Sequence, residues 1–135
     1  MGNRAVITTK EKRIGIYLHW NGGRDSVTAF LTYCKLKGYR KPEEDDYGWA
    51  RLCQVIGNFF GGDCSIGINT LKNLDCNNYD NGTYIIENWE IVDRMYFKGE
   101  EQNTHDLLEM LLDINKSQPE KEQLDDKYIE SEINS

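Results

Sequence analysis

A chain of 135 residues that is 11 % aromatic, with three Trp and eight Tyr, is long enough to bury one real core and too aromatic to be disordered over most of its length. No apolar run approaches the roughly 20 residues of a membrane-crossing helix, and residues 1–10 lack the apolar stretch of a secretory signal, so no membrane partner and a cytoplasmic location are expected. The net charge of −7 is unevenly placed: residues 1–99 carry 13 Lys and Arg against 12 Asp and Glu, a net of +1, while residues 100–135 carry 3 Lys against 11 Asp and Glu, a net of −8. The domain proper is too near neutrality for a general or sequence-specific nucleic-acid binder, which shows a basic excess.

In chain order, residues 3–9 read as a strand, 10–12 as a polar turn and 13–20 as a second strand, together a hairpin. Asp25 or Ser26 caps a helix that runs to Lys37, with Val27, Phe30, Leu31 and Cys34 on one face and Gly38 as its stop. Residues 41–46 form a hinge followed by carboxylates that suit the positive end of the next helix. That helix spans 47–60, with Trp49, Leu52, Cys53, Ile56, Phe59 and Phe60 as its buried stripe. Gly57 inside it costs helix stability, which implies close packing at that point. A short strand follows at 64–68. An Asn- and Asp-rich loop leads to the Asn81-Gly82 turn signal. Residues 83–87 and 89–97 read as two more strands or as one long bent strand, with Ile85, Trp89, Ile91, Met95 and Phe97 sharing a face. Asn103 or Thr104 caps a last amphipathic helix carrying Leu107, Leu108, Leu111 and Leu112. The fold class is α+β: one domain over 1–115, a mostly antiparallel sheet with two central helices and a C-terminal helix, and an acidic, flexible tail over 116–135.

The chemistry converges at Tyr17 to Ser26. Two glycines, Gly22 and Gly23, precede a helix start, where backbone N–H groups can face an anion. Arg24 adds a cation, Asp25 and Ser26 open the helix, and Tyr17, His19, Trp20 and Asn21 lie just upstream. The spacing matches neither the phosphate loop G-x-x-x-x-G-K-[ST] nor the dinucleotide fingerprint, so the stretch reads as a ligand-site candidate or as a purely structural turn. A second group, Lys35, Lys37, Tyr39, Arg40 and Lys41, reads as a solvated helix end whose cations complement the helix dipole. Tyr47, Trp49, Phe59, Phe60, Tyr84, Trp89, Tyr96 and Phe97 are core by spacing, with a few left to surface. The four cysteines, Cys34, Cys53, Cys64 and Cys76, have wide and irregular spacings, which fit reduced thiols better than zinc ligands or a disulfide framework. With only two histidines, His19 and His105, neither a metal site nor a cofactor site is expected, and a small enzyme built on His19 with a Cys or Asp partner is the third-ranked reading.

The segments YLHWNGGRDSV, YGWARLCQVIGNFFGG and YDNGTYIIENWEIVDR resemble small proteins carried by prophages and conjugative elements of low-GC Gram-positive bacteria, over residues 1–115. In type these are similar to phage counter-defence proteins, which include anti-CRISPR proteins and sponges for immune nucleotide signals. The resemblance implies a non-enzymatic protein in the host cytoplasm whose partner is a host defence protein or a nucleotide signal. It assigns no catalytic residue and leaves self-association open. As an inhibitor, the chain would present Glu100, Glu101, Asp106, Glu109, Asp113, Glu120, Glu122, Asp125 and Asp126 to a basic channel, most directly that of a CRISPR nuclease. As a sponge, it would use Tyr17, His19, Trp20, Asn21, Gly22, Gly23, Arg24, Asp25 and Ser26.

Overall fold

A computed structural model describes residues 3–62, 65–101 and 103–134. The strands are β1 (Ala5–Thr9), β2 (Ile14–Leu18), β3 (Ile66–Thr70), β4 (Thr83–Glu87) and β5 (Glu90–Met95). The helices are α1 (Arg24–Lys37), α2 (Asp46–Phe59), α3 (Leu107–Ser117) and α4 (Asp126–Asn134). The five strands make one sheet in the order β3-β2-β1-β4-β5. Every neighbouring pair is antiparallel except β1 with β4. The chain is therefore α+β with a mostly antiparallel sheet.

Alternation along the strands builds two layers on this sheet. Ala5, Ile7, Ile16, Leu18, Tyr84 and Ile86 meet α1, α2 and α3 in the main core. Val6, Thr8, Thr83 and Ile85 face the other way and are also buried. The loop after β3 covers that second face. Leu71 and Leu74 lie over Gly15, where an added Cβ would stand 3.0 Å from Leu74 Cδ1 and 2.9 Å from the Ile7 carbonyl oxygen.

Several local expectations shift, each for a physical reason. The predicted strand at 64–68 runs instead over Ile66–Thr70, and Cys64 lies outside the described residues. Asn88 and Trp89 both have positive φ and form the turn between β4 and β5, so Trp89 is a turn residue. It is nonetheless buried, and its Nε1 donates to the Tyr39 carbonyl at 3.0 Å. The register shifts between Ile85 and Ile86, where Ile85 faces Asp93 and Ile86 faces Ile91. Ile85 alternates with Ile86 along β4 and so lies opposite the face of Ile91, and the bulge, which leaves Val92 over, puts Met95 on the face opposite Ile91 as well. Gly57 has open space around it, whereas a Cβ on Gly48 would meet the Lys41 carbonyl carbon at 2.4 Å and Pro42 N at 2.5 Å. The close approach of α2 is therefore at its first turn.

The C-terminal segment packs against the domain instead of trailing from it. Asn115 and Gln118 are buried and act as a clasp. Asn115 Oδ1 accepts from Tyr33 on α1 at 2.7 Å and from Leu124 N at 2.8 Å. Gln118 Nε2 donates to the Val55 carbonyl on α2 at 3.1 Å. Ile129 of α4 is fully buried. Apolar residues are sparse after Pro119, yet Leu124, Ile129 and Ile133 suffice because two buried amides fix the approach.

Candidate functional site

The structure splits the Tyr17 to Ser26 stretch between different surfaces. β2 sends Tyr17 away from the helices, and His19 N extends the ladder by donating to the Ser65 carbonyl at 3.0 Å. Tyr17, His19, Ser65, Ile66 and Gly67 line a cleft of about 320 Å³. Tyr17 OH lies 2.9 Å from His19 Nδ1, and the His19 ring meets the half-exposed Trp20 edge-on at 4.7 Å. Arg24 lines a separate cleft with Thr28, Leu31, Thr32, Lys35, Trp89, Glu90 and Ile91. The aromatic group and the cation do not converge on one ligand.

The glycines between them serve close packing. A Cβ on Gly22 would stand 2.5 Å from the Asn3 carbonyl oxygen and 2.8 Å from Ala5 Cβ. Gly22 N donates to Asn3 O at 2.8 Å, and Gly22 O accepts from Tyr84 OH at 2.7 Å. Asn21 takes a positive φ, and its Nδ2 reaches Ser26 Oγ at 3.3 Å. Gly23 is the N-cap of α1 and has no side-chain acceptor to offer. That place is filled by Asp25. Its Oδ1 accepts from Ser26 N at 2.7 Å, and its Oδ2 accepts from Thr104 N and His105 N at 3.0 Å each. A carboxylate of the chain itself thus stands at the helix N-terminus, where it complements the dipole and repels a second anion.

Behind the turn runs a half-buried polar chain that no local sequence pattern signals. Arg94 Nη2 donates to Tyr84 OH at 2.9 Å, and Nε donates to the Asn81 carbonyl at 3.1 Å. Nη1 pairs with Glu101. The guanidinium also lies over the Phe97 ring, 3.5 Å from its centroid. Burial pushes the Tyr84 phenol far above its ordinary range, so it stays protonated and can donate to Gly22.

Cys34, Cys53 and Cys76 are free thiols, and Cys64 lies outside the described residues. Burial raises the Cys34 thiol, and it pushes Cys53 up to about 11, so neither is an activated nucleophile. Among the described residues, no group of three His, Cys, Asp or Glu side chains gathers in a way that could hold a metal ion. No described helix is long and apolar enough to cross a membrane.

The acidic set divides by role. Asp106 caps α3 by accepting from Glu109 N at 3.1 Å, and Asp125 accepts from Lys127 N at 2.9 Å. Asp126 Oδ1 accepts from Asn115 Nδ2 at 3.3 Å. Glu101 pairs with Arg94, and Glu122 with Arg51 at 3.2 Å. Glu100, Glu109, Asp113 and Glu120 are exposed.

One cleft was not singled out from the sequence. Gly38, Tyr39, Arg40, Tyr47 and Arg51 line about 470 Å³ between the end of α1 and the start of α2. Tyr47 is 66 % exposed and therefore not core. The signal was present: Tyr47 and Arg51 stand four apart, on one face of α2, and the helix stop at Gly38 brings Tyr39 and Arg40 opposite them. No family model, curated protein or solved structure matches the chain.

Proposed function

We propose that the chain is a non-enzymatic counter-defence protein that binds a host defence factor stoichiometrically and blocks it, with the nucleic-acid channel of a CRISPR nuclease as its target. The observation behind this reading is the placement of the acidic segment. A net charge of −8 sits in residues 100–135, and eight of the eleven carboxylates there lie on α3, α4 and the turns joining them, which pack on the core. Glu109, Asp113, Glu120 and Glu130 are exposed on that frame and pair with no cation among the described residues. Carboxylates at fixed spacing lose less conformational freedom on binding than the same charges on a free tail. In a basic channel they take the place of phosphates, so binding weakens with salt as nucleic-acid binding does.

The site alternative, a nucleotide sponge at Gly22 and Gly23, has Asp25 standing where the phosphate would go. The test is a charge-neutralised variant, E109Q/D113N/E120Q/E130Q, compared with R24A. The reading expects the first to lose inhibition of target-DNA binding by the nuclease while keeping its fold, and the second to inhibit as the parent does. Inhibition lost in R24A and kept in the neutralised variant would overturn it.

A further inference from the structure

We propose that the cleft between α1 and α2 is a binding site for a nucleotide, with the phosphate on Arg40 and Arg51 and the base on Tyr47. The cleft, about 470 Å³, has the size of a small-ligand site. Its two arginines are held but not used up. Arg40 Nη1 pairs with Asp45 at 3.0 Å, and Arg51 Nη1 reaches Gln54 and Glu122 at 3.2 Å each. All of these bonds fall on one nitrogen of each guanidinium. The Nε and Nη2 edge, the fork that grips a phosphate in two parallel hydrogen bonds, has no hydrogen-bond partner among the described residues on either arginine.

Each guanidinium is also steadied by a ring. Arg51 lies over Tyr39, 4.6 Å from its centroid, and Arg40 lies over Tyr47 at 5.2 Å. This fixes the planes and lowers the ordering cost of binding. Tyr47 is two-thirds exposed, so it keeps a free surface on which a planar base can stack. A Cβ at Gly38 would meet nothing within 4 Å, which leaves the floor of the cleft open. Lys37 adds a third cation beside the two arginines, its Nζ 5.7 Å from the centroid of the Tyr39 ring. Neither free arginine edges nor an exposed tyrosine is needed to hold the fold.

None of the four carboxylates neutralised in the test of that reading lines this cleft, so the two proposals stand or fall separately. The experiment titrates the full chain with AMP, GMP, CMP and UMP, and in parallel with adenosine and inorganic phosphate, by calorimetry. At least one mononucleotide is expected to bind saturably with a Kd below about 1 mM. Adenosine and phosphate alone should each bind at least about tenfold more weakly than the best mononucleotide. Y47A and R40Q should each weaken that binding about tenfold, with unchanged circular dichroism, while R24A leaves it intact. Absence of saturable binding by all four mononucleotides overturns the site. Equal binding of inorganic phosphate overturns the role of the base, and unchanged affinity in both Y47A and R40Q overturns the location.

Discussion

Asn78 places every polar atom of its amide in one loop. Its Nδ2 donates to the carbonyls of Asp75 at 3.1 Å and Gly82 at 3.0 Å, while Oδ1 accepts from the amides of Asp80, Asn81 and Gly82. It is fully buried, so water cannot replace these bonds. N78A removes all five bonds and leaves the buried Gly82 N without its acceptor, and a loss of about 2–3 kcal/mol in urea unfolding is expected. Two residues on, Asp80 binds Arg4: Oδ2 accepts from Nε at 2.9 Å and from Arg4 N at 3.0 Å. Burial alone would raise this carboxyl, but the two hydrogen bonds and the guanidinium charge outweigh it and hold it below the ordinary range. A depressed folded-state value means the contribution is present above the unfolded pKa of about 3.9 and is lost as pH falls below it. D80N should therefore be less stable than the parent at pH 6, and the gap should narrow as unfolding is measured down to pH 3. These contacts join residues 76 positions apart, which is why an Asn- and Asp-rich loop signalled a turn in the sequence but not the layer it forms.

At the scale of the element, glycine has opposite meanings in the same helix. Gly57 has no atom near its missing Cβ, while Gly48 touches the backbone of residues 40–42. G57A should gain about 0.5–1 kcal/mol from helix propensity, and G48A should be destabilised by about 2 kcal/mol or more, both read from thermal unfolding. The sequence showed that a glycine in α2 was costly but not which glycine repaid the cost in packing, because that depends on where the preceding loop crosses. The strands and helices themselves were legible from apolar periodicity, since α1 and α2 bury the faces that the spacing marks. The bulge in β5 and the Asn88-Trp89 turn were not, because both arise from pairing with β4. The glycine turn after β2 was legible as a turn, but the carboxylate at its helix start was not. What fills the helix N-terminus is Asp25, and its further partners, Thr104 N and His105 N, lie about 80 positions away.

For the whole molecule, the sequence located the acidity but not its mount. Composition marked residues 100–135 as one charged block, and the missing information was that Asn115 and Gln118 reach three other segments at once. Removing residues 118–135 would therefore expose the surfaces that Leu124 and Ile129 cover as well as removing carboxylates. Neutralising exposed charges separates the two effects. The same reasoning sets the salt response: at fixed spacing, several carboxylates act together, and inhibition should fall steeply between about 50 and 200 mM salt. The measurement that bears most directly on the proposed role is competition between the full chain and target DNA for guide-loaded CRISPR nucleases, followed by fluorescence anisotropy. The account predicts stoichiometric displacement of DNA from at least one nuclease at low salt, fading as salt rises and absent for E109Q/D113N/E120Q/E130Q. Displacement by that variant equal to the parent's, or displacement insensitive to salt, would contradict it.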